Sequence, residues 1–526
     1  MDASTRPEGA EPRGPVPSGP VGPSAEHPDA ELARREAALT DGLPAPAADA
    51  PYRHGITRIP LDRLGTTHFV GIGGAGMSAV ARVLAARGVP VTGSDAKDSA
   101  SLESLREMGI DARAGHDAAR LDGVDTLVVS SAIRADNPEL MAARALGVPV
   151  LHRSMALDAA TDGLDTLAVA GTHGKTTTTS MLAVMLDAAG DEPSFAAGGD
   201  VAGLGGNARF GAGRHFVLEA DESDGSYVNY RPRVAIVTNI EPDHLDFYGS
   251  DEAVHRSFDT FVSLLGRESA LVACADDEGS SALAERHRAT AHVRTYGYSE
   301  DADIRITGTE PFGPGTRSVL AFSLDGQEAE QELVLTVPGQ HNVLNAAGAF
   351  AAGLELGLDP ERCAQGLAAF RGASRRFELK GEHEGVRVYD DYAHHPTEVR
   401  AAIAGARHGA EGRVLAVFQP HLYSRTEAFA REFAEALDAA DLALVLPVYR
   451  AREDERDDIT NRTITDFSSR GADERGGQLP VDSADDAVLR LADAARAGDV
   501  ILTIGAGDVT ELGPRILHAL RLRGGR

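Results

Sequence analysis

The sequence predicts an α/β protein of three tandem domains behind a disordered N-terminal tail: a Rossmann-like first domain, a P-loop-like central domain with appended β-strands, and a C-terminal Rossmann-like domain. Three observations carry this. The chain has 526 residues, 42% of them hydrophobic, which is too much for one average core. Short aliphatic runs alternate with Ala/Leu-rich helical stretches in three successive series, the rhythm of parallel sheets covered by helices. The N-terminal residues instead are rich in Pro, Ala, Gly and Glu and lack the apolar content to form a core.

On this reading residues 1–56 form the tail, 57–160 the first domain, 161–372 the central domain and 373–526 the C-terminal domain. The first series runs through "THFVGIGGAG", "VPVTGSD", "DTLVVSSAI" and "GVPVLHR". The second begins at "DTLAVAGTHGKTTTT" and continues through "HFVLEADESD" and "RVAIVTNIEPDHLD". The third contains "VRVYDDYAHHP", "RVLAVFQPH", "LALVLPVY" and "DVILTIGAGD". Between the last two, "IRITGTEPFGPGTRSVLAFSLDGQEAEQELVLTVPGQHN" has the turns and alternation of antiparallel strands appended to the central domain.

Composition excludes several classes. A formal charge of −29 opposes non-specific binding to nucleic acid, so an anionic ligand must meet a local positive site. No run approaches the length of a bilayer span, and no basic-then-apolar secretory signal is present, so no membrane insertion and a cytoplasmic location are expected. The two cysteines, Cys274 and Cys363, have no partner at disulfide or zinc-site spacing. Only three lysines occur, Lys97, Lys175 and Lys380, in a chain that otherwise uses arginine.

One of those lysines lies in the central motif Gly171-Thr172-His173-Gly174-Lys175-Thr176-Thr177, where an apolar strand enters a glycine loop and then a helix. Loop N–H groups and the helix N-terminus can bind phosphate oxygens, the ammonium can reach between phosphates, and a threonine hydroxyl can ligate Mg²⁺. The loop is shorter than the standard form, with Val169 where its first glycine would be. Downstream, Glu219, Asp221, Glu222 and Asp224 end one strand, and Asp243, His244 and Asp246 end another. Strand C-termini are where α/β sheets hold ligands, and carboxylates there suit Mg²⁺.

In the first domain Gly71, Gly73, Gly74, Ala75 and Gly76 form a G-x-G-x-x-G turn, and Ser94 and Asp95 end the next strand. Alone this pattern fits NAD, but the same geometry serves any diphosphate, including that of a UDP-sugar. The third domain offers Asp390, Asp391, His394 and His395 after one strand, and His421 and Arg425 after another, groups that bind carboxylates and move protons.

Eight segments, "GIGGAGMS", "GTHGKTTT", "EADESD", "TNIEPDHLD", "PGQHNVLNA", "SRRFE", "DDYAHHPTE" and "FQPHLYSRT", together resemble the Mur ligase family, in order, over residues 57–526. The resemblance implies an ATP-dependent ligase of peptidoglycan synthesis that joins L-alanine to the lactyl carboxylate of UDP-N-acetylmuramic acid through an acyl phosphate. It implies two Mg²⁺ ions. A ligase that recycles a tripeptide is the nearest alternative, and an NAD(P)-dependent oxidoreductase the alternative of another class. A diaminopimelate- or lysine-adding member would carry Asp-Asn-Pro-Arg in its last domain. Here the similar string Asp136-Asn137-Pro138-Glu139 lies in the first domain and lacks the arginine.

By the same resemblance, Gly71, Gly73, Gly74, Ala75, Gly76, Ser94 and Asp95 would hold the UDP-sugar. Gly171, Thr172, His173, Gly174, Lys175, Thr176, Thr177, Asn342, Asn345, Arg376 and Asp391 would hold ATP. Thr176, Glu219 and His244 would hold metal, and His394, His421 and Arg425 would face the amino acid and the carboxylate. Lys175, Glu219, His244, Arg376, Asp391 and His394 are the implied catalytic set. Leu422 departs from the pattern, since some relatives have arginine there, and Arg425 is then the available clamp. Sister ligases support the second metal with a carbamylated lysine, but Glu219 to Ser250 contains none.

Overall fold

Every aliphatic run singled out in the sequence forms a strand, and the strands assemble into three separate sheets. The computed structural model describes residues 58–524, apart from 314, 325, 452 and 471–475. The tail expected over residues 1–56 lies outside the described residues.

The first sheet contains β1 (Thr67–Val70), β2 (Val91–Asp95), β3 (Asp111–Ala114), β4 (Thr126–Val129) and β5 (Val150–His152). Its order is β3-β2-β1-β4-β5 and all its pairings are parallel. All four residues of β1 are buried, as expected where helices cover both faces of a central strand. The glycine turn after β1 therefore opens at the point where strand order reverses.

The central sheet has ten strands: β6 (Asp165–Ala170), β7 (Ser194–Val201), β8 (Gly206–Arg209), β9 (His215–Glu219), β10 (Val234–Val237), β11 (Ala270–Cys274), β12 (His292–Gly297), β13 (Ile304–Phe312), β14 (Gly315–Leu324) and β15 (Gln327–Leu335). Their order is β15-β14-β13-β12-β11-β10-β6-β9-β7-β8. The antiparallel strands β13 to β15 continue the sheet through a short parallel pairing of β12 with β13. β6 lies between β10 and β9, so the phosphate-loop motif and both acidic strand ends emerge side by side. The helix that follows, Lys175–Ala188, has no solvent-facing stripe beyond its first and last turns because it packs beneath the helices Gln340–Glu355 and Pro360–Ala368.

The third sheet comprises β16 (Glu378–His383), β17 (Val386–Asp391), β18 (Val414–Phe418), β19 (Leu442–Val445), β20 (Gly477–Pro480) and β21 (Val500–Ile504), ordered β16-β17-β21-β18-β19-β20. Its β16–β17 pairing is antiparallel and the others are parallel.

The cores show how the domains are joined. One continuous apolar cluster runs from Leu64 through the first domain into Phe216, Tyr227 and Phe258 of the central one. The two clusters of the third domain, around Val388 and Phe418, include no residue of the central sheet. The first two domains thus share a core, whereas the third meets the second through polar side chains. Among the described residues, no helix is long and apolar enough to cross a membrane.

Asp136-Asn137-Pro138-Glu139 is a helix start. Asn137 Oδ1 caps the N–H groups of Glu139 and Leu140 at 3.0 and 3.2 Å, and Pro138 occupies the first turn. The Glu139 carboxylate is fully buried between strands, where Ser94 Oγ and the Asp117 N–H donate to it and His68 lies at 3.6 Å. Burial alone would raise its pKa, but His68, Ser94 and the Asp117 amide outweigh that and hold it at about 2. Because the folded value lies below the unfolded one, its stabilisation is present above the unfolded value and disappears as pH falls towards the folded one. Glu139→Gln should therefore cost about 2–3 kcal/mol at neutral pH. In denaturant titrations the gap between wild type and variant should shrink as pH falls from 4.5 towards 2.

Candidate active site

The phosphate loop has its shape because two of its glycines cannot be replaced. Gly171 has φ +133°, and a Cβ there would lie 2.0 Å from Thr238 Oγ1. Gly174 has φ +80°, and a Cβ would lie 2.5 Å from Asn345 Oδ1. The loop therefore presses directly against β10's end and the helix Gln340–Glu355. Thr172 Oγ1 and the Glu241 N–H are 2.9 Å apart, and the His173 N–H donates to Asn239 Oδ1 at 2.8 Å, which ties the loop to the neighbouring strand end.

Lys175 folds back over this loop. Its Nζ donates to the carbonyls of Gly171 (2.7 Å) and Thr172 (3.0 Å) and to Glu222 Oε1 (2.9 Å). Burial would lower its pKa, but the carboxylates of Glu222 and Asp221 raise it, so the ammonium stays charged. Burial pushes Glu222 up to about 8 despite the lysine beside it. Glu219, at the end of β9, accepts from Thr176 Oγ1 at 3.0 Å and from the Gly198 N–H at 2.7 Å. His244 has φ +53°, and its Nε2 lies 3.7 Å from Glu222 and 3.6 Å from Asp243. Burial lowers its pKa, leaving a neutral imidazole.

Lys175, Thr176, Glu219, Asp243 and His244 line a cleft of about 820 Å³. The same cleft is bordered by Gly73 and Ala75 of the first domain and by Arg376, Tyr392 and His394 of the third. Gly74 and Gly76 line an adjoining space of about 300 Å³ with Arg153, whose guanidinium pairs with Asp221 at 2.5 Å. Asp95 accepts from the Gly73 N–H at 2.9 Å and so fixes the glycine turn. Ser94 is not brought to either cleft. Its hydroxyl turns inward to Glu139 and His116 because the buried carboxylate requires donors.

Next to the loop is a narrower cavity of about 240 Å³ that contains Asn342, Asn345, Arg376 and Asp391 together with His173, Gly174 and Thr177. Its walls include Tyr296, Leu344, Phe370 and Phe377, an apolar slot for a flat ring. Asp391 is raised to about 6 by burial, which Arg376 only partly offsets. Arg376 lies 3.4 Å from Glu398, and its neighbours Arg375 and Phe377 have φ of +58° and +50°. Backbone of this kind in bulky residues is held by its surroundings, here by Asp391 accepting from the Phe377 N–H at 2.8 Å. A larger opening of about 1310 Å³ borders Arg376 on its other side, but it contains neither Lys175 nor the carboxylates of β9.

In the third domain, His394 Nδ1 lies 3.0 Å from the Tyr392 carbonyl, and burial lowers its pKa to about 3. His421 stacks on Tyr449, with its ring 6.3 Å from that of His394. Arg425 is buried, and its Nη2 donates to both oxygens of Asp243 at 2.9 and 3.2 Å. Arg153, His341 and Phe377 also line these spaces but were not singled out in the sequence. A buried arginine among many carries no local signal, and His341 is a neutral imidazole, lowered to about 4 by burial, on a mostly apolar helix.

The fold and its phosphate loop define a three-domain α/β protein in which all three sheets turn functional side chains towards shared clefts. Residues 66–163 match the Mur ligase family, catalytic domain; residues 169–353 match the Mur ligase middle domain; and residues 375–507 match the Mur ligase, glutamate ligase domain. The chain is 55% identical over 463 residues to the UDP-N-acetylmuramate--L-alanine ligase of Paenarthrobacter aurescens, covering 88% of this chain and 98% of that one. It is 56% identical to the protein of the same name from an Arthrobacter species, with 88% and 96% covered. Its structure is similar to that of a UDP-N-acetylmuramate-alanine ligase from Thermotoga maritima, with TM-score 0.72, 30% identity and coverage of 88% and 100%. The chain belongs to the Mur ligase family.

Gly174→Ala should lower affinity for an ATP analogue at least tenfold while leaving the circular dichroism spectrum unchanged, because the added methyl meets the polar Asn345 side chain of the facing helix and not an apolar core. Isothermal titration checks the first expectation. An affinity equal to that of wild type would mean that the loop does not approach the nucleotide.

Proposed function

We propose that this chain is an ATP-dependent ligase that joins L-alanine to the lactyl carboxylate of UDP-N-acetylmuramic acid. One observation carries the reading. The Lys175 loop, the acidic strand ends, the first domain's glycine turn and the third domain's Arg376 and His394 border one cleft. Curated relatives 50–56% identical to the chain bear the name of the alanine-adding enzyme, which favours it over the peptide-recycling alternative.

A carboxylate is a poor acyl donor, so the lactyl oxygen takes the γ-phosphoryl of ATP, releasing ADP and giving an acyl phosphate. The amine of alanine then attacks the acyl carbon, inorganic phosphate leaves, and the amine proton is lost. Lys175 exchanges Glu222 for phosphate oxygens, and Arg376 approaches the same phosphates from the third domain. His394 donates Nδ1–H to Tyr392, which leaves Nε2 free to accept a hydrogen bond from the amine. The paired Thr176 and Glu219 oxygens and the neutral imidazole of His244 suit Mg²⁺ shared with phosphate. That ion, when bound, would neutralise charge on the transferring phosphoryl group. Asn342, Asn345 and Asp391 hold the nucleotide, and Gly73 to Gly76 with Asp95 hold the UDP-sugar. Enclosing this chemistry among three domains excludes water from the acyl phosphate.

Phosphate release measured with UDP-N-acetylmuramic acid, against a panel of amino acids and the recycled tripeptide, tests the assignment. Joint dependence on the UDP-sugar and alanine is expected, and preference for the tripeptide would overturn it. Lys175→Arg should reduce kcat/KM by at least about a hundredfold, since a planar fork cannot replace a compact ammonium bonded to two loop carbonyls. Depleting CO₂ and bicarbonate should leave the rate unchanged, because Lys380 is paired with Glu378 at 2.9 Å and neither Lys97 nor Lys380 lines the cleft. Recovery of rate on adding bicarbonate would show that a lysine carbamate takes part.

A further inference from the structure

His173, Glu241 and His395 form a group outside the Thr176–Glu219–His244 set. One ligand atom from each lies within 4.8 Å of the others. They come from three segments: the phosphate loop, the turn after β10, and the N-cap of the helix Pro396–Gly409. The two imidazoles overlap with ring centroids 4.5 Å apart. Both side chains are about nine-tenths buried or more, and the Nε2 atom of each has no hydrogen-bond partner. His173 Nε2 at 3.7 Å and His395 Nδ1 at 3.9 Å converge on one oxygen of Glu241, and two imidazole nitrogens facing one carboxylate oxygen form a site for a shared cation.

The surroundings match those of a metal-binding histidine pair. His173 Nδ1 lies 3.3 Å from Glu398, leaving Nε2 turned towards Glu241 Oε2 at 3.7 Å. His395 turns Nδ1 towards the same Glu241 oxygen at 3.9 Å, and this nitrogen accepts only a long bond from the Thr397 N–H at 3.4 Å, which a metal would replace; Thr397 Oγ1 donates to Glu241 Oε2 at 2.7 Å. A carboxylate behind one imidazole and a hydroxyl behind the carboxylate ligand are outer-sphere contacts of the kind that orient zinc ligands. Two imidazoles and one carboxylate, with water as a fourth donor, suit Zn²⁺ and not Mg²⁺, which prefers oxygen. Zinc bonds of about 2.0–2.1 Å require the three donor atoms to draw together by about 1 Å.

We propose that His173, Glu241 and His395 bind a divalent transition metal of the zinc type that joins the third domain to the central one. The consequence follows from the fold. Those two domains share no apolar core, so an ion with ligands on both acts as a strut between them. His173, Thr397 and Glu398 also line the narrow nucleotide cavity, so the strut holds that cavity closed and retards release of what it contains. Binding displaces the proton that the nearby carboxylates of Glu241 and Glu398 otherwise stabilise on His173.

The test uses the full chain, stripped with chelator and titrated with Zn²⁺ against a chromophoric competitor in excess Mg²⁺. Wild type should bind one ion, and Glu241→Gln and His395→Gln should each weaken it at least tenfold. Thermal unfolding of the metal-free proteins shows whether the variants fold. X-ray absorption of zinc bound to wild type gives an independent reading and should show two imidazoles. Weakening by His244→Ala with none by His395→Gln would assign the ion to the other site and overturn the proposal. So would the absence of an imidazole pair in the absorption spectrum.

Discussion

The arrangement of the site depends on how the Lys175 ammonium is compensated. A buried cation needs acceptors, and this one takes two carbonyls from its own loop and a carboxylate from the β9 end. Glu222 is consequently drawn into the interior, where Lys175 balances it. Asp221, which would otherwise add a second uncompensated charge, is paired with Arg153 from the first domain. Glu219 keeps two neutral donors, Thr176 Oγ1 and the Gly198 N–H. Each acidic group of one short segment thus has a different partner. A polyphosphate entering the cleft competes with Glu222 for the lysine, and Glu222, whose burial favours its protonated form, is the carboxylate that takes up a proton in exchange.

Two kinds of domain junction follow from the distribution of apolar residues. The first and central domains are held by a common core and by Asn207 Nδ2 donating to the Ala75 carbonyl at 2.8 Å, so the glycine turn keeps a fixed position relative to the phosphate loop. The third domain is held by Arg425 on Asp243, Thr397 on Glu241 and Glu398 beside His173. Polar junctions of this kind lose little when they part, because water replaces each partner. The side of the site that contributes Arg376, Asp391 and His394 is therefore joined through polar contacts, and the side that holds the phosphate loop through a shared apolar core.

What was legible in the sequence was local. The strand–loop–helix around Gly171 to Thr177, and the acids ending β9 and β10, declare themselves within a dozen residues, because backbone direction and periodicity fix where their side chains emerge. Strands such as β3, β16 and β20 were not singled out, being short or at sheet edges with weak alternation. Arg153 matters through Asp221, 68 residues away in sequence, which no local pattern encodes. Ser94 shows the converse. Its position at a strand end beside Asp95 suggested a ligand contact, but Glu139, 45 residues further on, claims its hydroxyl.

Arg425 extends this argument to the substrate side. The resemblance suggested a clamp for an incoming carboxylate, and the structure shows its guanidinium already holding one, that of Asp243. Burial alone would raise Asp243, but His244 and Arg425 hold it well below the usual carboxylate range, so it stays ionised. A substrate carboxylate reaching Arg425 must share or displace this partner. Asp243 is also the immediate neighbour of His244, and its Oδ1 accepts the His244 N–H at 2.7 Å. Displacement would therefore be felt at the backbone that holds His244 at φ +53°, a conformation a histidine keeps only when its neighbours enforce it. On the proposed assignment the amino-acid side and the metal side of the cleft are joined through a single aspartate. The third domain can then come to rest on the central one only when a carboxylate, that of Asp243 or the substrate's, satisfies Arg425.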